Sequence, residues 1–126
     1  MGSQRPRPVV LDAGALIAVD RADRRVIRLL ELAGTVHIPA GALAQAWRNP
    51  ARQVRLARAA GADSVTIHPL DGPLAKAAGQ LCAATGTADV IDASVVLVAR
   101  IAGGITVTSD PEDLRRLDPG VDLVVC

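Results

Sequence analysis

Aromatic side chains are almost missing from this sequence of 126 residues, which has no Phe, no Tyr and one Trp, Trp47. RNA-binding domains of the RRM and OB types need several rings on which bases stack, so the chain is not expected to bind nucleic acid in that way. Trp47 is predicted to be a packing or interface residue. The two histidines, His37 and His68, are isolated in or beside predicted strands, and we assign them to packing rather than catalysis.

Cysteine and long apolar runs are also scarce. Cys82 and Cys126 lie far apart, so neither a disulfide framework nor a zinc site is expected. No run of about 20 apolar residues is present, and the first residues lack the apolar segment of a signal peptide. We therefore expect a cytoplasmic protein with no membrane span. A single domain is expected over residues 1–126, with residues 1–7 flexible.

Charge is distributed unevenly although the net charge is only +1. The first 60 residues hold ten Arg and four acids, a net +6, whereas the rest carries a net −5. A basic half beside an acidic half suits a polyanion held by its flanking phosphates. The alternative is that most of the arginines only solvate helix surfaces. The candidates for contact with RNA or a protein partner are Arg48, Arg52, Arg55 and Arg58, the last three forming a predicted stripe on one helix.

Short apolar runs alternate with helical patterns along the whole chain. Strands are predicted over residues 9–11, 35–38, 64–67, 105–108 and 121–125. Helices are predicted over residues 15–20, 24–33, 39–47, 51–60, 71–84, 89–102 and 110–117. Strands that alternate with helices indicate a mostly parallel sheet covered on both faces. The expected fold is a three-layer α/β/α sandwich with about five strands.

Four carboxylates follow these strands or begin these helices. Asp12 ends the first strand, Asp110 follows the fourth, and Asp89 and Asp92 open the most apolar helix. Strand ends and helix starts meet at one edge of a parallel sheet, where ligands bind. Carboxylates gathered there repel one another unless a cation neutralises them. Mg²⁺ or Mn²⁺ suits such oxygen ligands and usually serves phosphate chemistry.

Each acid also has a purely structural explanation. Asp12 and Asp110 occupy positions typical of helix N-caps, and Asp89 and Asp92 are favourable to the dipole of the helix that they begin. A P-loop or a dinucleotide-binding fold would need a glycine-rich motif after the first strand, and neither motif is present.

Polar residues surround Asp110 in the sequence. The hydroxyl groups of Thr108 and Ser109 either hold a water molecule of a metal site or complete the turn. Glu112 and Asp113 are interpreted as solvated acids that match the helix dipole rather than as ligands.

Four motifs, taken in their order and spacing, resemble the PIN domain, and specifically the VapC-type toxins of bacterial toxin–antitoxin pairs. The motifs occupy residues 9–18, 36–48, 88–96 and 106–114. The resemblance implies a PIN-like α/β/α fold and a Mg²⁺- or Mn²⁺-dependent endoribonuclease, a hydrolase that cleaves phosphodiester bonds. It also implies a homodimer and a small antitoxin that holds the enzyme inactive. The implied catalytic metal ligands are Asp12, Asp89 and Asp110, with Asp92 nearby.

One position departs from the family pattern. The family carries a Glu six residues after the Pro that follows the second strand, whereas this chain has Pro39 and then Gln45. Gln offers a neutral oxygen, so metal affinity should fall unless another acid such as Asp92 compensates. The alternative function is therefore a catalytically weakened or inactive PIN domain that binds RNA or protein.

Overall fold

The computed structural model describes residues 6–126, and its centre is a parallel sheet of five strands. Their order across the sheet is β3-β2-β1-β4-β5. The strands are β1 (Val9–Leu11), β2 (Val36–Pro39), β3 (Val65–His68), β4 (Ile105–Thr108) and β5 (Leu123–Val125). All four pairings are parallel, so every strand ends at the same edge of the sheet.

Seven helices connect these strands in the described part of the chain. They are α1 (Ala13–Asp20), α2 (Arg24–Leu32), α3 (Ala40–Ala46), α4 (Val54–Ala60), α5 (Gly72–Thr85), α6 (Val90–Ala102) and α7 (Pro111–Leu117). Several begin where an Asp side chain accepts a hydrogen bond from an amide of the first turn, as Asp23 does at α2 and Asp71 at α5. Helix α6 ends at Gly103, whose φ of +69° favours glycine.

The helices form two layers around the sheet. Helix α1 packs on α2, α3 and α4, whereas α6 packs on α5 and α7 and lies against β1, β2 and β4. Because parallel strands are joined by right-handed crossovers, the two groups cover opposite faces of the sheet. The predicted α/β/α sandwich with a mostly parallel sheet of about five strands is therefore confirmed.

The hydrophobic core is centred on β1 and α6. Val10 and Leu11 of β1, and Val96 and Val98 of α6, have no solvent exposure. A fully buried Val or Leu side chain contributes about 1.5–3 kcal/mol relative to an exposed one. The packing of this apolar helix onto the central strand therefore holds the start of α6 firmly beside the end of β1.

The direction of the chain across the sheet reverses beside β1. The chain runs outward from β1 to β2 and β3, then returns to β4 on the other side of β1. The helices that follow β1 and β4 therefore leave toward opposite faces, which opens a crevice at the strand ends between them. Ligands of open α/β sheets bind in such crevices. Asp12 and Asp110 follow β1 and β4, the two strands beside the crevice of this protein.

The predicted elements are all present, but one helix begins later than expected. The helix predicted over residues 51–60 starts at Val54, because the side chain of Gln53 accepts a hydrogen bond from the amide of Asn49 and holds a turn before it. The predicted arginine stripe on this helix is therefore wrong, since Arg52 precedes the helix.

The expected flexibility of residues 1–7 falls mostly on residues 1–5, which lie outside the described part of the chain. Arg7 is described, and its Nη1 lies 2.6 Å from Oδ2 of Asp122. Within residues 6–126, no single helix is long and apolar enough to cross a membrane. The length and composition are reached only when α5 and α6, which meet at 107°, are counted together.

Candidate active site

The acids predicted to form the site lie at the edge of the sheet where the strands end. Leu11 of β1 pairs with Val107 of β4, and the amide of Asp12 donates to the carbonyl of Val107 at 3.3 Å. Asp12 and Asp110 therefore leave neighbouring strands at the same edge. Their charges interact, because Asp110 contributes to a raised pKa of Asp12.

Asp12 is a buried acid that caps α1 and also belongs to the group of acids at this edge of the sheet. Only 5% of it is exposed, and its Oδ1 accepts a hydrogen bond of 2.9 Å from the amide of Ala15, which caps α1. Burial raises the pKa of Asp12, and the negative charge of Asp110 adds to this effect. The Thr108 hydroxyl and the Ala15 amide oppose it by stabilising the charged form. Helix capping and the Thr108 hydroxyl therefore both hold the Asp12 carboxylate in place at the end of β1.

Asp89 and Asp92 form a close acid pair at the start of α6. Oδ1 of Asp89 accepts the amide of Asp92 at 2.9 Å, so Asp89 is the N-cap of α6. Burial raises the pKa of Asp92 to about 7, helped by the charge of Asp89 and by a hydrogen bond to it, and further by the charges of Asp113 and Asp12. The acids of three different segments therefore act on one another electrostatically.

Asp110 is exposed and occupies the N-cap position of α7, but its side chain makes no capping hydrogen bond there. Its own amide donates to the Thr108 hydroxyl at 2.9 Å, which fixes the turn between β4 and α7. Helix capping therefore accounts for part of the role of Asp12 and Asp89 but not for the carboxylate of Asp110.

The hydroxyl-bearing residues before Asp110 have distinct positions. Thr108 is fully buried and serves the turn and Asp12, as described above. Ser109 is exposed and lies against Gly14 so closely that a Cβ at residue 14 would overlap the Ser109 Oγ. Glycine at position 14 therefore permits the start of α1 to approach the β4–α7 turn, which brings Asp12 and Asp110 together.

A cleft of about 280 Å³ opens beside the acid pair of α6. Asp89, Asp92, Asp113 and Arg116 line it together with Thr87. Asp113 is exposed in the first turn of α7, as a solvated acid would be, and its charge also acts on Asp92.

The sequence contained a signal for this placement. Asp110, Asp113 and Arg116 recur every three residues, which places them on one side of the start of α7. Glu112, by contrast, pairs with Arg115, and neither of these two residues lines the cleft.

Gln45 is exposed on α3, the helix that the family pattern places next to the site. A Cβ at Gly41 would overlap the side chain of Ile91, so the beginnings of α3 and α6 are in close contact. Gln45 lies one helical turn after Gly41 and therefore on the same side of α3, the side that meets α6. The residue of α6 in contact there is Ile91, and Asp92 is the next residue in the chain. No hydrogen bond within residues 6–126 holds the side chain of Gln45.

Two of the candidate arginines have structural partners. Nη1 of Arg48 donates to the carbonyls of Ala44 at 3.0 Å and Trp47 at 2.7 Å, which satisfies carbonyls at the end of α3. Nη1 of Arg55 donates to the carbonyl of Asp20 at 3.4 Å. Both are partly engaged in local structure and are weaker candidates for a ligand.

Arg52 and Arg58 are exposed, and neither side chain hydrogen-bonds to any residue from 6 to 126. They lie on the α4 side of the molecule, whereas the acids gather beside α6 and α7. They are the stronger candidates among the four arginines for contact with RNA or a partner.

The two histidines lie side by side on neighbouring strands. Nδ1 of His37 is 2.8 Å from Nε2 of His68, and Nε2 of His37 is 2.8 Å from the Thr35 hydroxyl. Burial, followed by the charge of His68, lowers the pKa of His37. This local pairing agrees with the packing role predicted for them, and Trp47 likewise packs against the core.

The type of donor atom at this site suits a hard cation, but the acids are not grouped closely enough around one point to bind it. Within residues 6–126, no three His, Cys, Asp or Glu side chains form a group that could hold one ion. The donors are nevertheless all carboxylate oxygens, and the pKa values of Asp12 and Asp92 are raised partly by neighbouring acids. A divalent cation would relieve that repulsion. The exposed side chains of Asp89 and Asp110 would have to move to surround it together with Asp12.

Comparison with known families gives one match that covers most of the chain. The family described as PIN domain matches residues 9–119. That range contains four of the five strands, the acids named above and the motifs on which the sequence resemblance rests, so this resemblance is confirmed. A comparison with curated proteins found no match.

Similar solved structures include proteins from three bacteria. VapBC2 from Rickettsia felis, bound to a DNA fragment from its promoter, has a TM-score of 0.69 at 16% identity, covering 94% of this chain and 98% of that one. Mycobacterium tuberculosis VapC20, a sarcin-ricin loop cleaving toxin, has a TM-score of 0.64 at 17% identity, with coverages of 78% and 86%. FitAcB from Neisseria gonorrhoeae has a TM-score of 0.60 at 18% identity, with coverages of 91% and 95%. At these identities the likeness concerns the fold.

Proposed function

Because this chain belongs to the PIN domain family, whose members are generally nucleases, we propose that it is a Mg²⁺- or Mn²⁺-dependent endoribonuclease, a VapC-like toxin. The observation that carries the proposal is the placement of Asp12 and Asp110 at the ends of β1 and β4, where the direction of the chain across the sheet reverses. Asp12 and Asp110 follow adjacent parallel strands, and Asp12 stays buried although Asp110 raises its pKa. A divalent cation between the two carboxylates would relieve this repulsion.

The residues would divide the work as follows. Asp12, Asp89 and Asp110 would hold the cation, with Asp92 beside them. When bound, such an ion activates water and neutralises negative charge on the scissile phosphate.

The rest of the site would hold these carboxylates in position. The Thr108 hydroxyl keeps the turn of Asp110 in position through its 2.9 Å hydrogen bond. Ser109 and Gln45 would border the reacting phosphate and contribute neutral oxygen atoms.

The polyanion would be held by cations outside the acidic cleft. Contacts to phosphates position nucleic acid without reading its sequence, which suits the exposed Arg52 and Arg58. The resemblance to VapC-type toxins implies a small antitoxin, and solved structures similar to this chain include VapBC2 and FitAcB, so we propose a small antitoxin as its protein partner. A homodimer and a cytoplasmic location complete the proposal.

Cleavage of RNA by the purified chain tests this function. We expect cleavage with Mg²⁺ or Mn²⁺, none with EDTA, and a loss on the order of 10²–10³ in rate for Asp12→Asn and Asp110→Asn. Asp63→Asn is the matched control, since Asp63 is an exposed acid outside the cleft. Cleavage that survives chelation, or equal activity in all four proteins, would contradict the proposal.

A second candidate function is a PIN domain that binds RNA or protein without cleaving it, and Gln45 favours it. If Gln45 merely weakens a working site, Gln45→Glu should raise metal affinity and allow cleavage at lower metal concentration, because hard cations bind more tightly to charged ligands. Calorimetry with Mn²⁺ and a parallel cleavage assay measure both effects. Failure of both proteins to bind metal or cleave RNA would favour the binding module.

A further inference from the structure

One side of the acidic cleft is lined by a cationic side chain, that of Arg116. Among the described residues that line it, Arg116 is the one cation, facing the side chains of Asp89, Asp92 and Asp113. Its Nη1 lies 3.2 Å from Oδ1 of Asp113. The side chain of Arg116 is nevertheless 70% exposed, so this ion pair leaves most of the guanidinium open to solvent and to a ligand.

A second ion pair on the same helix provides a comparison. Nη1 of Arg115 lies 2.9 Å from Oε1 of Glu112, with the same spacing of three residues. The two pairs are therefore alike in chemistry and in position along α7, but Arg115 and Glu112 lie outside the cleft. Exposed pairs of this kind contribute about 0–1 kcal/mol, so neither is needed to hold α7 in place.

A phosphodiester approaching this cleft meets the carboxylates of Asp89, Asp92 and Asp113. A cation held by Asp12, Asp89 and Asp110 would neutralise the reacting phosphate, but the neighbouring phosphates of the strand would remain near Asp92 and Asp113. A planar guanidinium offers two parallel N–H groups that match two phosphate oxygens. Because its pair with Asp113 is weak and exposed, Arg116 can exchange that carboxylate for a phosphate at little cost.

We propose that Arg116 binds a backbone phosphate of the RNA next to the scissile one and so positions the strand in the cleft. This inference rests on the proposed ribonuclease function, since it assigns a substrate contact to the same site. The competing explanation is that Arg116 acts only through Asp113, by lowering the negative charge around the acids. The two explanations differ in what they predict for the salt dependence of RNA binding.

Four variants separate them: Arg116→Ala, Arg116→Lys, Arg115→Ala as the matched control, and Asp113→Asn, which frees Arg116 from its partner. Binding of a fluorescein-labelled single-stranded RNA of mixed sequence is measured by anisotropy in Ca²⁺ at several salt concentrations. Cleavage of the same RNA in Mn²⁺ gives kcat and KM. Circular dichroism and the melting temperature of each variant confirm that it is folded.

Arg116→Ala should weaken RNA binding about tenfold, and the slope of log Kd against log salt should become shallower by about 0.7, the value for one lost phosphate contact on a single strand. KM should rise more than kcat falls, because such a contact is made equally in the ground and transition states. Arg116→Lys should recover part of the affinity and the full slope. Arg115→Ala and Asp113→Asn should bind RNA at least as tightly as the wild type.

The inference is overturned if Arg116→Ala matches Arg115→Ala in affinity and slope. It is also overturned if Arg116→Ala weakens binding while the slope stays unchanged, since Arg116 would then act only by offsetting the charge of Asp113. A wild type that binds RNA with this pattern but never cleaves it would contradict the ribonuclease and leave the phosphate contact supported. A wild type that binds no RNA would overturn both.

Discussion

Asp92 is the side chain whose charge depends most on its surroundings. Its pKa is raised to about 7 by partial burial and by the acids around it, against 3.8 for an ordinary Asp. Below about pH 4 both the folded and the unfolded chains carry the proton on Asp92, so its raised pKa does not change the free energy of unfolding. As pH rises toward 7, the unfolded chain loses this proton while the folded one retains it, and the folded state loses stability.

Replacing Asp92 by Asn should therefore stabilise the metal-free protein at high pH. We expect no difference from the wild type near pH 4 and a growing advantage that is complete above about pH 7. After discounting for solvent screening at a partly exposed side chain, the advantage is roughly 1–2 kcal/mol. Urea unfolding in EDTA between pH 4 and pH 8 measures it. An equal advantage at every pH would point to packing rather than charge, and Asp63→Asn is the control.

Strand β4 carries two buried threonines with opposite roles. The Thr106 hydroxyl is fully buried and makes no hydrogen bond within the described residues, whereas the Thr108 hydroxyl accepts the amide of Asp110. Both side chains have no solvent exposure. Replacing each Thr by Val therefore tests whether its hydroxyl stabilises the folded chain through a hydrogen bond or destabilises it by being buried without a partner.

Thr106→Val should raise the free energy of unfolding by about 1 kcal/mol, because Val has nearly the same shape and no unsatisfied hydroxyl. Thr108→Val should lower it by about 1–3 kcal/mol, because the amide of Asp110 loses its acceptor. It should also raise the pKa of Asp12 further, since the Thr108 hydroxyl favours the charged carboxylate. Denaturant unfolding compares both variants with the wild type. Two changes of the same sign would contradict this assignment.

At the level of elements, most of the fold could be predicted from the sequence. Apolar runs bounded by Gly, Pro and Asp mark every strand and helix, since burial and turn geometry are local requirements. The start of α4 could not be predicted, because the turn before it depends on the side chain of Gln53 reaching Asn49.

The edge of the sheet at which Asp12 and Asp110 lie, here called the acid edge, could be predicted from the sequence, whereas the cleft could not. Asp12 and Asp110 follow strands, and parallel strands must end at a common edge. The position of Asp113 and Arg116 against Asp92 depends instead on how α7 packs on α6, which involves residues distant in sequence. Spacing of three residues along α7 indicated a shared face but not what that face would meet.

For the molecule as a whole, the proposed ligands come from three segments that meet only in the folded chain. A divalent cation should therefore bind the folded state alone and stabilise it. At a Mn²⁺ concentration ten times Kd, the gain is about 1.4 kcal/mol, which is roughly 5 °C in Tm for a domain of this size. Thermal unfolding with and without Mn²⁺ measures the shift.

Asp12→Asn should abolish most of this shift, while Asp63→Asn should preserve it. An unchanged Tm for the wild type across millimolar Mn²⁺ would contradict a metal site of useful affinity. A shift that is equal in Asp12→Asn would place the bound ion somewhere other than the acid edge.

The pairing of β1 with β4 has a consequence for how the protein is made. Val9 and Ile105 are neighbours in the sheet, yet most of the chain is synthesised between them. A ribosome must therefore release β4 from its exit tunnel before the turn carrying Asp110 can dock against Gly14 and complete the acid edge. Until then the nascent chain exposes Asp12 without Asp110, so translation itself delays the assembly of the site until β4 has left the tunnel.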